Sequence, residues 1–339
     1  MTHPRPGIVI FALALFAFSP KAEAASLPER VVIAHASLGV RVAPLWVAQE
    51  QGFLAKYGVA SELVWVRGGS LLVAALDAGD VQVAYTAGSA PVAAAAAGSD
   101  LRVVAGVQNR AATDLVARPG INSPKDLRGK RLGVQSIGGG NWMQAMLGLE
   151  YLGLEPRRDN IQVIASGGQT VLHQALTTGT IDAAALDTAF SRRLGEKGFL
   201  ILLESQKVNI PMQSIALVVK KAFFQGRPDM LEGIIKGLIE GLAFVFTPAN
   251  KPVVLKTLMK RLQLSDPTFA EEAYQDLLRT VEPKPYPSVE GLRNVQRLMK
   301  AGNPRVGEIK VEELIEGRFI RKLDESGFID RLYKSYGGR

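Results

Sequence analysis

Cysteine is missing from all 339 residues of the chain. Its absence excludes disulfide bonds, thiolate nucleophiles and metal sites built on cysteine sulfur. It also excludes attachment of a lipid to an N-terminal cysteine of a processed chain. A chain of this length is sufficient for two domains of ordinary size, with a core large enough to fold without covalent cross-links.

Long hydrophobic runs are also lacking after residue 24, so no later segment is predicted to cross a membrane. The early run "GIVIFALALFAF" (7–18) follows Arg5 and precedes Pro20 and the small-residue step Ala22–Ala24. A basic start, a short apolar middle and small residues before a cleavage point are typical of a secretory signal peptide. We predict a signal peptide at residues 1–24, cleaved after Ala24, and a soluble periplasmic protein; a buried N-terminal helix is the alternative.

Charge of one sign is not concentrated in any stretch. The net charge is +8, but the basic residues are scattered rather than striped, so nucleic acid is not predicted as a partner. A basic surface favours anionic ligands modestly. Histidines and carboxylates do not occur at metal-ligand spacing, and the motif G-x-x-x-x-G-K-[ST] is absent, so neither a metal nor a cofactor is predicted.

Short apolar runs alternate with amphipathic segments, which is typical of an α/β fold with mostly parallel sheets. The predicted strands are 30–36, 60–68, 81–87, 101–109, a strand within 123–136, 160–166 and 183–187. The predicted helices are 43–58, 70–80, 90–97, 141–152 and 168–178, followed by Met230–Phe246, Pro252–Gln263, Thr268–Thr280 and Val289–Lys300.

Two segments repeat one order of features. "LLVAALDAGDVQVAYT" (71–86) and "LHQALTTGTIDAAALD" (172–187) both run from a helix through Ala-Leu-x-x-Gly to an acidic residue and a strand. Gly79 and Gly179 suit left-handed helix ends. The repeat predicts two similar α/β lobes with a ligand cleft between them, at the carboxyl ends of the strands.

Four segments of the chain resemble the periplasmic substrate-binding proteins of ABC importers, in the nitrate/sulfonate/taurine (SsuA/THI5-like) group. They are "PLWVAQEQGFLAKYGV" (44–59), "AALDAGDVQVAYT" (74–86), "INSPKDLRGKRLGV" (121–134) and "ALTTGTIDAAALD" (175–187). The resemblance covers roughly residues 31–219, with a weaker helical tail.

This resemblance implies the type II periplasmic binding fold, with two α/β lobes, a ligand cleft between them and a helical C-terminal part. The two strands that cross between the lobes are expected near residues 115–118 and 215–219. The implied lobes are residues 28–116 plus 216–335 for the first and residues 117–215 for the second.

Loops after the predicted strands supply the candidate ligand contacts, because they offer small hydroxyl residues and free backbone donors. The predicted ligand-binding residues are Ser37, Trp46, Gly69, Ser70, Thr86, Ser89, Ser136, Gly139, Gly140, Asn141, Trp142, Gln169 and Asp187. The two tryptophans would suit an organic ligand as aromatic walls. A place in the core is the alternative for both tryptophans, and for Trp46 it is the favoured one.

The glycine loop "SIGGGNWM" (136–143) stands between a predicted strand and helix. Glycines there let backbone N–H groups face an anion at a helix N-terminus. Met143 occupies the position where G-x-G-x-x-G requires a final glycine or alanine, so dinucleotide binding is not predicted. A tight turn without ligand contact is the alternative for this loop.

Arg67 and Arg110 are candidate partners for an anion, and His35 is a candidate cleft contact. His173 is predicted in the middle of a helix, packed or exposed. No nucleophile, base and orienting group form a recognisable set, so no catalytic residue is predicted.

Together with the resemblance, these features predict a non-catalytic, monomeric solute-binding component of an ABC importer. It would capture a small organic anion, sulfonate- or carboxylate-like, by lobe closure and deliver it to an inner-membrane permease. Two alternatives stay open: a periplasmic ligand sensor that partners a signalling receptor, and a pyrimidine-synthesising enzyme of the THI5-like branch. That branch carries a cysteine-rich motif, which this chain lacks.

Overall fold

The computed structural model describes Met1, His3 and residues 30–337. Apart from Met1 and His3, the predicted signal peptide and its cleavage point lie outside the described residues. Within the described part of the chain, no helix combines the length and apolar character needed to cross a membrane.

The described strands and helices alternate through the first two thirds of the chain, and helices follow. The strands are β1 Val31–His35, β2 Ser61–Trp65, β3 Val83–Thr86, β4 Leu101–Arg110, β5 Thr113–Ala117, β6 Arg131–Val134, β7 Gln162–Ala165, β8 Ala183–Asp187, β9 Leu200–Leu203 and β10 Pro211–Lys220. The α-helices are α1 Ala43–Glu50, α2 Phe53–Lys56, α3 Gly69–Ala78, α4 Ser89–Ala96, α5 Gly140–Tyr151, α6 Gln169–Thr177, α7 Thr188–Gly195, α8 Lys221–Gly226, α9 Pro228–Phe246, α10 Lys251–Leu262, α11 Pro267–Thr280, α12 Val289–Lys300, α13 Arg318–Glu325 and α14 Phe328–Ser335.

The strands form two five-stranded sheets of the same design. The first has the order β2-β1-β3-β10-β4 and the second the order β7-β6-β8-β5-β9. In the first sheet β1 pairs in parallel with β2 and β3, whereas β10 is antiparallel to β3 and β4. In the second sheet β6 is parallel to β7 and β8, whereas β5 is antiparallel to β8 and β9. The prediction of an α/β fold is confirmed, but the sheets are mixed: in each, four strands run in one direction and the fifth is reversed, so parallel and antiparallel pairs are equal in number.

The chain passes between the sheets twice, and the reversed strand of each sheet follows a passage. The first passage lies between Arg110 and Thr113 and the second between Leu203 and Pro211. The crossings expected near residues 115–118 and 215–219 instead lie inside or at the end of β5 and inside β10. Both runs are buried along their length, because helices cover both faces of each sheet. The lobe boundaries at 116/117 and 215/216 stay a prediction.

A glycine stripe explains how the long C-terminal helix α9 joins the first sheet's layer. Gly233, Gly237 and Gly241 recur every four residues and therefore lie on one face. A Cβ at Gly237 would lie 2.7 Å from Leu54 Cδ2, and one at Gly233 would lie 2.7 Å from the Tyr57 carbonyl oxygen. The stripe lets α9 pack directly on α1 and α2, so the helical C-terminal part shares the core of the first sheet.

Candidate functional site

A cleft lies where the carboxyl ends of the strands of the two sheets face each other. The loops after β1 and β3 lie on one side, and the loops after β6 and β8 lie on the other. The two sides are in contact: a Cβ placed on Gly140 would lie only 2.9 Å from Ala87 Cβ. The described conformation is therefore closed at this point.

Thr86, at the end of β3, is the buried polar residue that best marks the cleft. The residue is only 2% exposed, and its hydroxyl has no hydrogen-bond partner among the described residues. A Cβ on Gly69 would lie 3.3 Å from both Thr86 Oγ1 and Ala90 Cβ. The hydroxyl therefore lies beside the starts of α3 and α4.

The start of α5 reaches the same place from the second sheet, since Gly140 touches Ala87. Within the described chain, no side chain caps α3, α4 or α5. The first N–H groups of a helix have no partner inside it, and they carry the positive end of the helix dipole. The starts of α3 and α4 thus lie beside the unpartnered hydroxyl, and the start of α5 lies against its neighbour Ala87. In α4 the Ala90 N–H already donates to the Ala87 carbonyl at 3.0 Å and Pro91 has no N–H, so Ser89 is the first-turn donor there.

The glycine loop has the geometry expected of a helix entrance. Gly138 adopts φ +76°, which favours glycine, and Gly139 is extended with φ −77°. Ser136 is exposed, and its Oγ would be 2.5 Å from a Cβ on Gly139, so a side chain at Gly139 is not accommodated without a shift. Contact of Ser136, Gly139 and Gly140 with a ligand stays a prediction.

Asn141 has an internal role that the sequence did not indicate. The side chain is 7% exposed; its Oδ1 accepts from the Gln135 N–H at 2.9 Å, and its Nδ2 donates to the Ala185 carbonyl at 3.0 Å. These bonds tie the glycine loop to β8. The polar atoms of this side chain thus have a structural role within the second sheet's layer, and ligand contact by Asn141 stays a prediction.

Trp46 was predicted as a cleft wall, and this prediction is wrong. The side chain is fully buried in the core beneath the first sheet. Its Nε1–H donates to His35 Nε2 at 3.4 Å, and the His35 Nδ1–H donates to the Ser37 carbonyl at 2.8 Å. Burial lowers the pKa of His35, and the bond to Ser37 opposes that decrease. His35 is a satisfied neutral histidine, and only the Ser37 side chain stays a candidate contact.

Arg41, which the sequence did not single out, provides the cleft's best-placed guanidinium. It lies in a short 3-10 helix, Val40–Val42, after β1. Its Nη2 pairs with the Asp187 carboxylate across the cleft and lies 3.4 Å from the Ala112 carbonyl. The two side chains are only 16% and 20% exposed. Burial raises the pKa of the Asp187 carboxyl, and the adjacent guanidinium opposes that increase.

Gln169 supports the same pair rather than standing alone. Its Oε1 accepts from the Asp187 N–H at 3.0 Å, which fixes the start of α7 against the start of α6. The structure thus brings two predicted residues, Gln169 and Asp187, together with Arg41. The sequence alone does not indicate this role of Arg41, because its partner Asp187 lies 146 residues away along the chain.

The two arginines predicted as anion partners have other contacts. Arg67 is exposed, with its guanidinium carbon 5.5 Å from the centroid of the Trp65 ring. Arg110 donates to the Arg279 carbonyl at the end of α11. Ser70 is exposed in the first turn of α3, Ser89 is buried at the start of α4, and Trp142 is half-buried against the core. Ligand contact by these last three residues stays a prediction.

The described residues offer little that is typical of a reaction centre. They contain no group of three or more histidines and carboxylates that could hold a metal ion. His173 lies in α6, with its ring centroid 5.7 Å from that of Phe190. Burial lowers its pKa, and Lys197 and Arg193 add to that effect. It is a packed histidine beside an aromatic ring.

Residues 40–250 match the family model described as "NMT1/THI5 like". No curated protein matches the chain significantly. Solved structures match most of the length of the chain. Their sequence identities to it are low, so these matches show a shared fold.

The periplasmic aliphatic sulphonate binding protein SsuA of Escherichia coli is 20% identical, with a TM-score of 0.69, 86% of this chain covered and 92% of that one. The alkanesulfonate-binding protein SsuA of Xanthomonas axonopodis pv. citri, bound to MOPS, is 19% identical, with a TM-score of 0.68 and coverage of 86% and 100%. The periplasmic nitrate-binding protein NrtA of Synechocystis PCC 6803 is 13% identical, with a TM-score of 0.67 and coverage of 88% of each chain. The prediction of a periplasmic binding protein fold is confirmed.

Proposed function

We propose a function for this chain from the premise that it belongs to the NMT1/THI5-like family. It is a non-catalytic solute-binding protein that captures a small organic anion, sulfonate- or carboxylate-like, between two closing lobes. It works in the periplasm and delivers the anion to the permease of an ABC importer. The similar solved structures carry the names of sulfonate-binding and nitrate-binding proteins, and these names support this class of ligand.

The single observation that carries the proposal is the environment of Thr86. Leaving a buried hydroxyl without a partner costs roughly 1–3 kcal/mol, so such groups are usually satisfied by a ligand or by water. The start of α3 and the Ser89 N–H of α4 supply additional donors beside Thr86, and the start of α5 adds N–H groups and a positive field next to Ala87. An oxyanion is the ligand group that accepts from all of these donors.

The position of Thr86 also favours a ligand that closes the cleft. The hydroxyl lies at the end of β3 in the first sheet, whereas Gly140 begins α5, which follows β6 of the second sheet. An anion held between them contacts both sides at once in the closed form and only one side in an open form. Because a ligand shifts a conformational equilibrium only by its preference for one state, this geometry supports capture by closure.

Arg41 is assigned a different part in the proposal. Its guanidinium is already paired with Asp187, so the anion is held chiefly by neutral donors and helix starts. Neutral donors suit a singly charged group such as a sulfonate or a carboxylate. The half-buried Trp142 in the first turn of α5 suits the organic part of the ligand.

The proposal is tested by native mass spectrometry of freshly purified mature protein, followed by thermal unfolding with ethanesulfonate, acetate and nitrate. We expect an anion to co-purify, and at least one of the three to raise the melting temperature by several degrees at about 100 times its dissociation constant. Ethanol and choline serve as uncharged and cationic controls. If no anion co-purifies and the three anions stabilise the protein no better than these controls, the proposed ligand class is wrong.

A further inference from the structure

Helix α7 belongs to the second sheet's layer by its packing. It follows β8 directly and lies against β5, β8 and β9. Ser191, in its middle, donates to the buried Asp114 carboxylate of β5. Asp114 also accepts from the Ser205 N–H at 2.8 Å and from the Ser205 hydroxyl at 2.7 Å. The helix is therefore fixed to the second sheet.

The opposite face of α7 contacts helix α11, which belongs to the first sheet's side. Tyr274 of α11 donates to the Val245 carbonyl of α9 at 2.9 Å, and Ala273 and Leu277 are buried in the core shared with the first sheet. Ala189 of α7 is buried in that same core. One helix of the second side is thus docked on the first.

An aromatic and cationic contact lies at the centre of this docking surface. The rings of Phe190 in α7 and Phe269 in α11 are 4.8 Å apart between centroids and meet edge to face. The guanidinium carbon of Arg193 lies 4.7 Å from the Phe269 ring centroid. Phe269 therefore contacts both side chains from α7.

Arg193 also pairs with two carboxylates of the first side. The shortest contacts are 2.8 Å to Asp266, which caps α11, and 3.3 Å to Glu272 in α11. The Arg193 side chain is about one third exposed at 31%. The neighbouring contact of Arg192 with Asp276 is longer, at 3.5 Å, and adds little.

The start of α7 contributes the ion pair of Asp187 with Arg41, which also joins the two sides. The contacts of α7 thus join the two sides at two places, the ion pair at the cleft and the surface of α11. A motion that moves the two sides apart at these places would break the contacts.

We infer that α7 is a clasp that holds the two lobes closed by contacts of its own, independently of ligand. The clasp residues are Asp187, Phe190 and Arg193 of α7, with Arg41, Asp266, Phe269 and Glu272 as their partners. This inference rests on the closing motion of the proposed function. The clasp sets the resting ratio of closed to open protein, and the apparent affinity for ligand falls when that ratio falls.

The test measures closure without ligand, so its result does not depend on the ligand class. Because the chain has no cysteine of its own, spin labels attach only to the two cysteines that are introduced. Leu71 in α3 and Ile137 in the glycine loop lie on opposite sides of the cleft and are 64% and 59% exposed. The double variant Leu71→Cys with Ile137→Cys is spin-labelled in the dialysed mature chain. Pulsed electron paramagnetic resonance then gives the distribution of distances between the two labels, which reports the opening of the cleft.

We expect a mainly short-distance population in the parent protein and a shift to longer distances in Phe190→Ala and Arg193→Ala. Each substitution should lower the ratio of short to long distances about five- to tenfold. Lys197→Ala is the matched control, since it removes an exposed cation just beyond the same helix. The charge exchange Arg193→Glu with Glu272→Arg should recover part of the short-distance population that Arg193→Glu loses.

Two results would overturn the clasp. One is a parent protein that shows only the long-distance population without ligand. The other is a distribution in Phe190→Ala and Arg193→Ala that matches Lys197→Ala while all variants melt as the parent does. Because ligand is absent throughout, neither result decides whether the protein binds an anion.

Discussion

Substitution of Gly140 by alanine should impede closure without destabilising the fold. The new Cβ would lie 2.9 Å from Ala87 Cβ, whereas an unstrained carbon–carbon contact is about 3.5–4.0 Å. Neither methyl group can rotate away, because both are attached directly to the backbone. Either the start of α5 shifts or the two sides of the cleft separate.

The magnitude follows from the cost of overpacking. Adding a methyl group to a tight contact costs about 1–3 kcal/mol. Only the closed state carries this cost, so the ratio of closed to open protein should fall about 5- to 150-fold. The free energy of unfolding should stay the same or rise slightly in the open state, because alanine is favoured over glycine within a helix.

The effect is measured by the distance between labels at positions 71 and 137, without ligand and at saturating concentration of an identified one, alongside urea unfolding. Gly168→Ala is the matched control: Gly168 precedes α6 with φ −66°, and a Cβ there would meet no described atom within 4 Å. If Gly140→Ala and Gly168→Ala close equally well, the contact between Gly140 and Ala87 does not limit closure, and the reasoning fails.

Three further substitutions test the assignments of individual side chains. Asn141→Ala should lower the free energy of unfolding by about 2–4 kcal/mol in urea, because it leaves the Gln135 N–H and the Ala185 carbonyl without their partner; weaker binding with unchanged stability would instead indicate direct ligand contact. Trp46→Phe should cost about 1–3 kcal/mol in the same assay, since His35 Nε2 then loses its donor in the core; an unchanged midpoint and slope would contradict this. Burial raises the pKa of Asp276 to about 6, so the Asp276 carboxylate binds a proton more tightly in the folded protein than in the unfolded chain. The stability that this group contributes is therefore complete below about pH 4 and is lost as pH rises through about 6. Asp276→Asn should flatten that part of the stability profile and raise the free energy of unfolding by about 1–2 kcal/mol at pH 7.5, and an unaltered profile would refute the assignment.

Much of the architecture could be predicted because long periodic segments carry their own signal. The helices expected at Met230–Phe246, Pro252–Gln263, Thr268–Thr280 and Val289–Lys300 are α9 to α12, with small shifts at their ends. In the structure two of them begin at side-chain caps, Asp266 and Ser288. The repeated Ala-Leu-x-x-Gly pattern likewise predicted a helix followed by a strand in each lobe.

Short elements without periodicity carried little signal. Strand β9 was missed because it is an apolar run of four residues, and α7 was missed because polar and apolar residues are mixed along its eight residues. A strand at the position of β5 was expected only from the resemblance, as a crossing near residues 115–118. The predicted helix 43–58 is interrupted at Gly52, where φ is +74°. Helix α7 acquires its place only from contacts with α11, which lies far along the chain.

The candidate site shows the same limit at the level of side chains. Strand ends and helix starts could be located from the sequence, and Thr86, Gly140 and Asp187 were chosen for that reason. Whether a polar or aromatic residue there faces a ligand or the protein depends on packing, as Trp46 and Asn141 show. Pairs such as Arg41 with Asp187 are invisible until the two sheets are brought together.

The most direct test of the proposed binding site is calorimetric titration of the anion that co-purifies with the protein into Thr86→Val. Valine replaces the unpartnered hydroxyl by a methyl group of similar size, and Thr180→Val, at an exposed turn distant in sequence, controls for the chemical change. We expect Thr86→Val to fold normally and to bind the anion about 10- to 100-fold more weakly, with Thr180→Val unchanged. Equal affinity in both variants would contradict the placement of the anion at Thr86.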